Sequence, residues 1–314
     1  MVKQKVVVIG TGFVGMSFAY ALVNQGAAEE LVLIDINKAK AEGEAMDLNH
    51  GLALAPRRMV IKAGDYADCH DAALVVITAG VNQQEGETRI DLLNRNASII
   101  RSVVKQVMNS GFDGILLVAS NPVDILAYVA WKESGLPTSK VMGSGTLLDT
   151  ARLRYEISHY IKIDARNIHA YILGEHGDSE FVCWSKAYVG VKPILDVIEN
   201  MDEISFADLD KIYVQVRDAA QEIIKRKRAT YYAIGMALVR ITNAIFKNEN
   251  SIIPLSVYNG GVYDIEKDLY IGLPAVINSE GIHHVVYLKL NEEEQAKLAH
   301  SARILKTNLT KMSI

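Results

Sequence analysis

Hydrophobic and polar positions alternate along the first half of the chain in a rhythm of short strands and longer helices. Short β-branched runs are bounded by glycine or polar residues, and the stretches between them have helical spacing. The predicted strands are 6–9, 31–34, 59–62, 74–78, 115–119 and 140–142, and the clearest helices between them are 90–108 and 123–132. This α/β pattern predicts a doubly wound parallel sheet with a ligand crevice at the carboxyl ends of its strands.

The pattern changes after residue 143. A helix from Thr146 is followed by predicted strands 168–173 and 181–184, long helices 206–225 and 230–248, and strand-like runs 252–257 and 270–277. The last helix begins at Asn291, with Glu294 at the capping-box position. We therefore expect two domains, an α/β domain at 1–143 and an α+β domain at 144–314 that carries the catalytic and substrate-binding groups.

The stretch 6–28 has no charged residue, so a secretory signal and a short membrane span are alternatives to a globular interpretation. Gly10, Gly12 and Gly15 interrupt it between a predicted strand and a predicted helix. In this GxGxxG arrangement the first glycine allows a tight turn, the second lets the backbone approach a pyrophosphate, and the third lets the helix pack on the strand. Free N–H groups at the helix start attract the phosphates. These glycines favour a buried strand, a phosphate-facing turn and a buried helix.

The second strand ends in Asp35, 20 residues after Gly15. A carboxylate at this distance can accept hydrogen bonds from the adenosine ribose, and Asn37 stands where an arginine would favour NADP. The sequence therefore predicts a Rossmann-type domain that binds NAD.

The amino-acid composition mainly excludes other classes of protein, such as nucleic-acid-binding and membrane proteins. The chain has 33 Lys and Arg against 37 Asp and Glu, a net charge of −4, and its only dense basic run is 225–228, which disfavours a nucleic-acid partner. No later segment is long enough to predict a membrane span. Cys69 and Cys183 have no metal-ligand spacing, which favours a reduced, cytoplasmic protein without a metal site. His283 and His284 are adjacent in a predicted strand, so we expect their side chains to diverge.

Four polar segments follow the nucleotide motif. They are the loop 82–89, the pair Asp149 and Arg152 on one helix face, the segment 120–124, and 174–178 with a histidine between glycines. Taken singly, each segment has an ordinary explanation: a surface charge at Arg89 in the loop, a surface ion pair, a turn at 120–124, and a solvated histidine. Together, in this order, they make the chain resemble the L-lactate dehydrogenases of the lactate/malate dehydrogenase superfamily over nearly its whole length. The closest resemblance is to bacterial enzymes regulated by fructose bisphosphate.

The resemblance implies NAD-dependent interconversion of pyruvate and L-lactate, with a role for each polar segment. His176 would be the acid/base and Asp149 would orient and stabilise its protonated form. Arg152 would clamp the substrate carboxylate, and Arg89 would polarise the carbonyl when its loop closes. Asn121 would contact both substrate and cofactor.

Two positions bear on substrate choice. Malate dehydrogenases carry an arginine where this chain has Gln83, so a second substrate carboxylate would lack a partner and pyruvate is favoured over oxaloacetate. Malate dehydrogenase, or a broader 2-hydroxy acid dehydrogenase, is the alternative. Thr230 would lie on the other side of the substrate methyl. Arg228 stands where the family often has glycine, so we expect altered helix geometry near Thr230.

The resemblance also implies peripheral sites. Cofactor contacts beyond the three glycines are expected at Val14, Asp35, Lys40, Tyr66, Gly80, Val81, Ser102, Asn121 and Ser144. Arg154 and His169 would line an anion site between subunits for fructose bisphosphate in a homotetramer. In the alternative interpretation, Arg154 is an ordinary charged residue on a helix and His169 is a buried histidine of the core.

Overall fold

The computed structural model describes residues 4–81, 86, 88–201 and 204–312. The strands are β1 (Lys5–Ile9), β2 (Glu30–Ile34), β3 (Val60–Ala63), β4 (Leu74–Ile77), β5 (Ile115–Val118), β6 (Val141–Gly143), β7 (Ile168–His169), β8 (Ile172–Leu173), β9 (Phe181–Val182), β10 (Tyr188–Val189), β11 (Lys192–Pro193), β12 (Ser251–Tyr258), β13 (Tyr270–Asn278) and β14 (Gly281–Val285). The helices are α1 (Phe13–Gln25), α2 (Lys38–Gly51), α3 (Arg89–Asn109), α4 (Val123–Ser134), α5 (Leu147–Ile161), α6 (Ile194–Glu199), α7 (Phe206–Lys227), α8 (Tyr232–Phe246) and α9 (Glu292–Lys311).

One nine-stranded sheet organises the molecule, in the order β14-β13-β12-β6-β5-β4-β1-β2-β3. The strands from β1 to β6 are parallel, and β1, β4 and β5 are buried throughout, as expected for β-branched runs covered by helices on both faces. This confirms the predicted fold class. The antiparallel strands β12, β13 and β14 continue the same sheet, because Ser256 pairs with Gly143 of β6. The sheet therefore spans both predicted domains.

The glycine turn packs as its pattern predicts. Gly10 has φ +105°, a conformation that side chains rarely adopt. A Cβ on Gly15 would lie 2.0 Å from the Gly10 carbonyl oxygen, so only glycine lets α1 sit this close to the end of β1. On its other side, α1 packs on α8, where a Cβ on Gly235 would lie 2.8 Å from the Ser17 backbone.

The structure departs from three local expectations. Helix α2 was not predicted, because it buries only Ala41 and Ala45 and has almost no apolar face. The predicted strand 168–173 divides into β7, which pairs with β10, and β8, which pairs with β9. The expected divergence of His283 and His284 is wrong, since their Nδ1 atoms are 2.7 Å apart beside a register shift between β13 and β14.

Two apolar cores hold the chain together. The larger surrounds the main sheet, and the smaller lies between α5, α6, α7 and the short strands. Cys69 and Cys183 are buried and free. Within the described ranges, no helix is both long and apolar enough to cross a bilayer.

Candidate active site

A histidine, an aspartate and an arginine meet where α5 approaches the loop after β8. Asp149 and Arg152 lie one turn apart at the start of α5. His176 lies two residues after Gly174. Gly174 has φ +97° and exchanges two backbone hydrogen bonds with Gly272 of β13. The bridge to β13 fixes the start of this loop beside the main sheet.

Asp149 joins the other two side chains. His176 Nδ1 lies 2.6 Å from Asp149 Oδ2, and Arg152 Nη1 donates to Asp149 Oδ1 at 2.9 Å. The Asp149 side chain is 3% exposed, whereas that of His176 is 26% exposed. With Nδ1 engaged by the carboxylate, Nε2 is the imidazole nitrogen left to face a substrate.

Charge and burial act in opposite directions on this pair. Burial disfavours the imidazolium, but the charge of Asp149 and the hydrogen bond to it outweigh this and raise the pKa of His176 to about 9. Burial would likewise raise the pKa of Asp149, but His176 and Arg152 favour its charged form and lower it. The cluster therefore holds an imidazolium and a carboxylate as an ion pair at neutral pH.

Two further acids face His176, and sequence reasoning gave them no role. Asp124 of α4 accepts a hydrogen bond from the His176 backbone N–H at 2.8 Å, and burial raises the pKa of Asp124 to about 6. Glu180 Oε2 lies 4.0 Å from His176 Nδ1. The signal available in the sequence was weak: Asp124 precedes an apolar run, and Glu180 is four residues beyond His176.

The nucleotide end of the crevice lies at the start of α1. Gly12 is the N-cap of α1, where a Cβ would meet nothing within 4 Å, and the first turn contains no acidic residue. Asp35 Oδ2 accepts from Thr11 N at 2.7 Å and from Thr11 Oγ1 at 2.8 Å. Burial would raise the pKa of Asp35, but hydrogen bonds from the N–H groups of Asn37 and Thr11 lower it. The turn thus offers unfilled N–H groups and open space beside a fixed carboxylate.

A buried amide links two loops at the carboxyl ends of β4 and β5. Asn96 of α3 accepts from Val81 N at 2.9 Å, and its Nδ2 donates to the carbonyls of Val81 and Asn121, each at 3.3 Å. Gly80 lies between this amide and Ser120. Sequence reasoning predicted Gly80, Val81 and Asn121 but missed Asn96, whose signal was a polar residue on the buried face of a helix.

The other predicted cofactor residues differ in their surroundings. Lys40 and Tyr66 lie near Asp35. The charge of Lys40 contributes to the lowered pKa of Asp35, and burial, with a smaller contribution from Asp35, raises the pKa of Tyr66. Val14 is half-buried on α1, and Ser144 is buried just after β6. Ser102 is exposed farther along α3, where no described contact joins it to the others.

The structure describes only some of the residues that are predicted to contact the substrate. Thr230 is half-buried between α7 and α8. Arg228 ends α7 with φ +71°, the left-handed conformation in which glycine is preferred. The expected change of helix geometry near Thr230 stays a prediction. Gln83 lies outside the described residues, and so does the side chain of Arg89, whose backbone begins α3.

The predicted effector residues lie on α5 and β7, two elements that pack together beside the smaller core. Arg154 Nε donates to the Ala170 carbonyl at 3.3 Å, and its guanidinium lies 5.4 Å from the Tyr171 ring centre. His169 is exposed on β7, so it is not a core histidine. Burial lowers the pKa of Arg154.

Two cavities lie away from the cluster. One, of about 400 Å³, lies between the β12–β13 connection and α9, and the other, of about 290 Å³, lies near the amino ends of the parallel strands. No predicted site residue lines either of them. The cluster of Asp149, Arg152 and His176 therefore lies outside both cavities.

Known proteins match the chain over its length. A family model described as lactate/malate dehydrogenase, NAD binding domain, matches residues 4–143, and one described as the alpha/beta C-terminal domain matches residues 146–313. The L-lactate dehydrogenase 2 of Bacillus anthracis is 56% identical, over 98% of this chain and 97% of that protein. The crystal structure of MGS-M5, a lactate dehydrogenase enzyme from a Medee basin deep-sea metagenome library, is 74% identical with a TM-score of 0.99 and full coverage of both chains. The ligand-bound minor L-lactate dehydrogenase from Enterococcus mundtii is 49% identical, with a TM-score of 0.97 and full coverage of both.

Proposed function

Because this chain belongs to the lactate/malate dehydrogenase family, we propose that it is an L-lactate dehydrogenase that uses His176 as its acid/base. The enzyme is an oxidoreductase, and NAD is its cofactor. The observation that carries the proposal is the 2.6 Å hydrogen bond between His176 and the buried Asp149, with Arg152 on the same carboxylate.

The first turn of α1 fits NAD. Open space at Gly12 and unfilled N–H groups suit a pyrophosphate, and Asp35 is held by Thr11 where a ribose hydroxyl could donate to it. When bound, NAD supplies the nicotinamide that accepts or gives the hydride. Lys40, Tyr66, Val81 and the other positions given above are proposed as further cofactor contacts.

His176 moves the proton. Its pKa of about 9 keeps it protonated at neutral pH, so Nε2 can give a proton to the pyruvate oxygen as the carbonyl is reduced. In lactate oxidation the imidazole must be neutral to accept that proton, so alkaline pH favours this direction. Asp149 holds the ring orientation and stabilises the imidazolium in both directions.

Arg152 is the proposed clamp for the substrate carboxylate, since a guanidinium offers several N–H donors and Asp149 engages one edge. Asn121 and Thr230 are proposed to lie beside the substrate. Arg89 remains the proposed electrophilic group at the carbonyl, and the neutral Gln83 remains the reason to favour pyruvate over oxaloacetate.

A steady-state comparison of pyruvate and oxaloacetate with NADH tests this function. We expect the higher kcat/KM for pyruvate, and a higher value for oxaloacetate would favour malate dehydrogenase, the alternative in the same family. His176→Ala should abolish turnover, whereas His159→Ala, an exposed histidine on α5, should not. Pyruvate reduction that survives in His176→Ala would contradict the assigned mechanism.

We also propose a cytoplasmic homotetramer of glycolysis and fermentation, activated by fructose bisphosphate, with domains divided near Gly143. The buried free cysteines suit a reducing compartment. Arg154 and His169, on the neighbouring elements α5 and β7, offer donors that an anionic sugar phosphate could use. We expect fructose bisphosphate to lower the KM for pyruvate in the wild type but not in Arg154→Ala, and light scattering to give the mass of four chains. An equal response in both proteins would remove the assigned effector site.

A further inference from the structure

A buried carboxyl group on α4 contacts the backbone of the proposed acid/base and takes no part in the proposed proton transfer. Asp124 Oδ2 accepts a hydrogen bond from His176 N at 2.8 Å, and Asp124 is 2% exposed. The residues of α4 from Val123 to Ala130 are all buried, so the helix is a rigid support for this contact. Asp124 therefore holds the main chain of His176, whereas Asp149 contacts its ring.

The stability of the fold does not explain an acid at this position. The bond from His176 N–H is the only hydrogen bond of normal geometry to the Asp124 side chain in the described part of the chain. Its second oxygen, Oδ1, is buried without such a partner, and so is the nearby Ser256 Oγ of β12. Burial of a carboxyl group with an unpaired oxygen is unfavourable. The contribution of this acid is therefore its contact with His176.

Each of the two acids shares an element with a group that is proposed to bind the substrate. Asp149 lies on α5 with Arg152, the proposed clamp for the substrate carboxylate. Asp124 lies in the first turn of α4, three residues after Asn121, the proposed contact with substrate and cofactor. Asn96 Nδ2 in turn donates to the Asn121 carbonyl at 3.3 Å. The histidine is thus tied to both elements that carry the proposed substrate groups.

We propose that Asp124 is a positioning residue that fixes His176 relative to Asn121 and thereby aligns Nε2 with the reacting carbonyl. The proposal rests on the proposed function, because it takes His176 as the acid/base. A ring held only at Nδ1 can pivot about that contact, and a second anchor on the main chain removes this freedom. Asp124 acts through His176 and not on the substrate, and it offers an accepting oxygen whether its carboxyl group is charged or neutral.

Asp124→Leu tests this role, because leucine keeps most of the side-chain volume but offers no acceptor to His176 N–H. A displacement of about 1 Å costs about 100-fold in rate, so kcat for pyruvate reduction should fall about 100-fold. The KM for pyruvate should stay within about threefold, since the proposed clamp Arg152 is unchanged on α5. The isotope effect on kcat with NADH deuterated at the transferred hydrogen should increase, because the chemical step becomes slower than product release.

Asp124→Asn is the conservative variant. Its amide oxygen can still accept from His176 N–H, and its N–H groups can donate to Ser256 Oγ, so kcat should stay within about fivefold of the wild type. Asn278→Leu is the matched control. Asn278 is also buried, 7% exposed, and accepts from the backbone N–H of Glu280 at 2.9 Å, but it ends β13 away from the cluster. The control should lower Tm and leave kcat unchanged, whereas Asp124→Leu should lower kcat with the smaller change in Tm.

The main-chain amide of His176 supplies a measurement that does not depend on activity. Its hydrogen exchange, followed by NMR, should be at least about tenfold faster in Asp124→Leu and unchanged in Asp124→Asn. If the wild type does not reduce pyruvate, the proposed function fails, but faster exchange would still support the anchoring contact. Exchange as slow as in the wild type, or a kcat within about threefold of it, would overturn the proposal.

An equal loss of kcat in Asp124→Asn would also overturn it, because the charge and not the accepting oxygen would then be responsible. If Asp124→Leu does not fold, Asp124→Ala takes its place. A water molecule can partly replace the missing oxygen in that variant, so kcat should fall by at least about tenfold. A smaller fall in Asp124→Ala, with unchanged exchange at His176, would refute the positioning role.

Discussion

Replacing Asp149 by asparagine tests the central pair most directly. The substitution keeps the shape of the side chain but removes the carboxylate that lies 2.6 Å from His176 Nδ1. The pKa of His176, raised from 6.5 to about 9, should then fall by roughly two units or more, because burial becomes the dominant influence. In the wild type the raised value corresponds to about 3 kcal/mol of attraction at about 1.4 kcal/mol per unit of pKa.

The sign of the pH dependence follows from the raised pKa. The histidine contributes its full stabilisation below pH 6.5 and loses it as the pH rises through about 9. Urea unfolding just below and just above this window should therefore show a decrease of about 3 kcal/mol in the wild type. The decrease should be nearly absent in Asp149→Asn.

Activity provides the second measurement. We expect kcat/KM for pyruvate to fall about 100-fold or more in Asp149→Asn, and its alkaline limb to move to lower pH. Asp164→Asn is the control, because Asp164 also pairs with an arginine, Arg166, but at the surface. A wild-type alkaline midpoint in Asp149→Asn, with the stability difference retained, would refute the electrostatic reasoning.

Three further predictions concern backbone and loop geometry. Gly15→Ala places a methyl group 2.0 Å from the Gly10 carbonyl oxygen, which should lower the free energy of unfolding by about 1–3 kcal/mol. It should also weaken NADH binding, which fluorescence titration would measure. Gly43→Ala, which meets nothing within 4 Å in α2, should instead add about 0.5–1 kcal/mol, and a loss of stability there would contradict the comparison. Asn96→Ala should leave the N–H and carbonyl of Val81 without their side-chain partner. We expect a clear fall in kcat/KM for pyruvate with only a small fall in Tm. Arg228→Gly should remove the backbone strain of a left-handed residue at φ +71° and raise the free energy of unfolding in urea by about 1 kcal/mol. An unchanged or lower free energy of unfolding would show that Arg228 is not strained.

The parallel strands and the nucleotide turn were predictable because their signals are local. A buried parallel strand must be apolar on both faces, and the turn requires glycine at Gly10 and Gly15 for reasons of backbone geometry. Helix α2 was missed because its burial is confined to two alanines, so no hydrophobic face is visible in the sequence. The continuation of the sheet into β12 was also hidden, since it depends on one pairing between Ser256 and Gly143 across the predicted boundary.

The proposed catalytic pair of His176 and Asp149 was predictable only in part. Asp149 and Arg152 share a helix face by spacing alone. That Asp149 also reaches His176, 27 residues away, followed from the family resemblance and not from any local pattern. Asp124 and Glu180 could not be ranked as important, because a single acid in a sequence does not show whether it is buried or what it faces.

A histidine on a loop can serve as the proposed acid/base only if other elements hold the loop in place, and here the last helix does so. Glu175, the residue before His176, donates from its backbone N–H to Ser301 Oγ of α9 at 2.6 Å. Farther along, Glu294 of α9 accepts from the backbone and the hydroxyl of Ser185 at 2.9 and 2.5 Å. Both ends of the segment around His176 are therefore held by one helix, while the carboxylate that pairs with its imidazole comes from α5. This division lets the position and the protonation state of His176 be controlled by different residues, which is why the variants above separate a loss of stability from a shift in pH dependence.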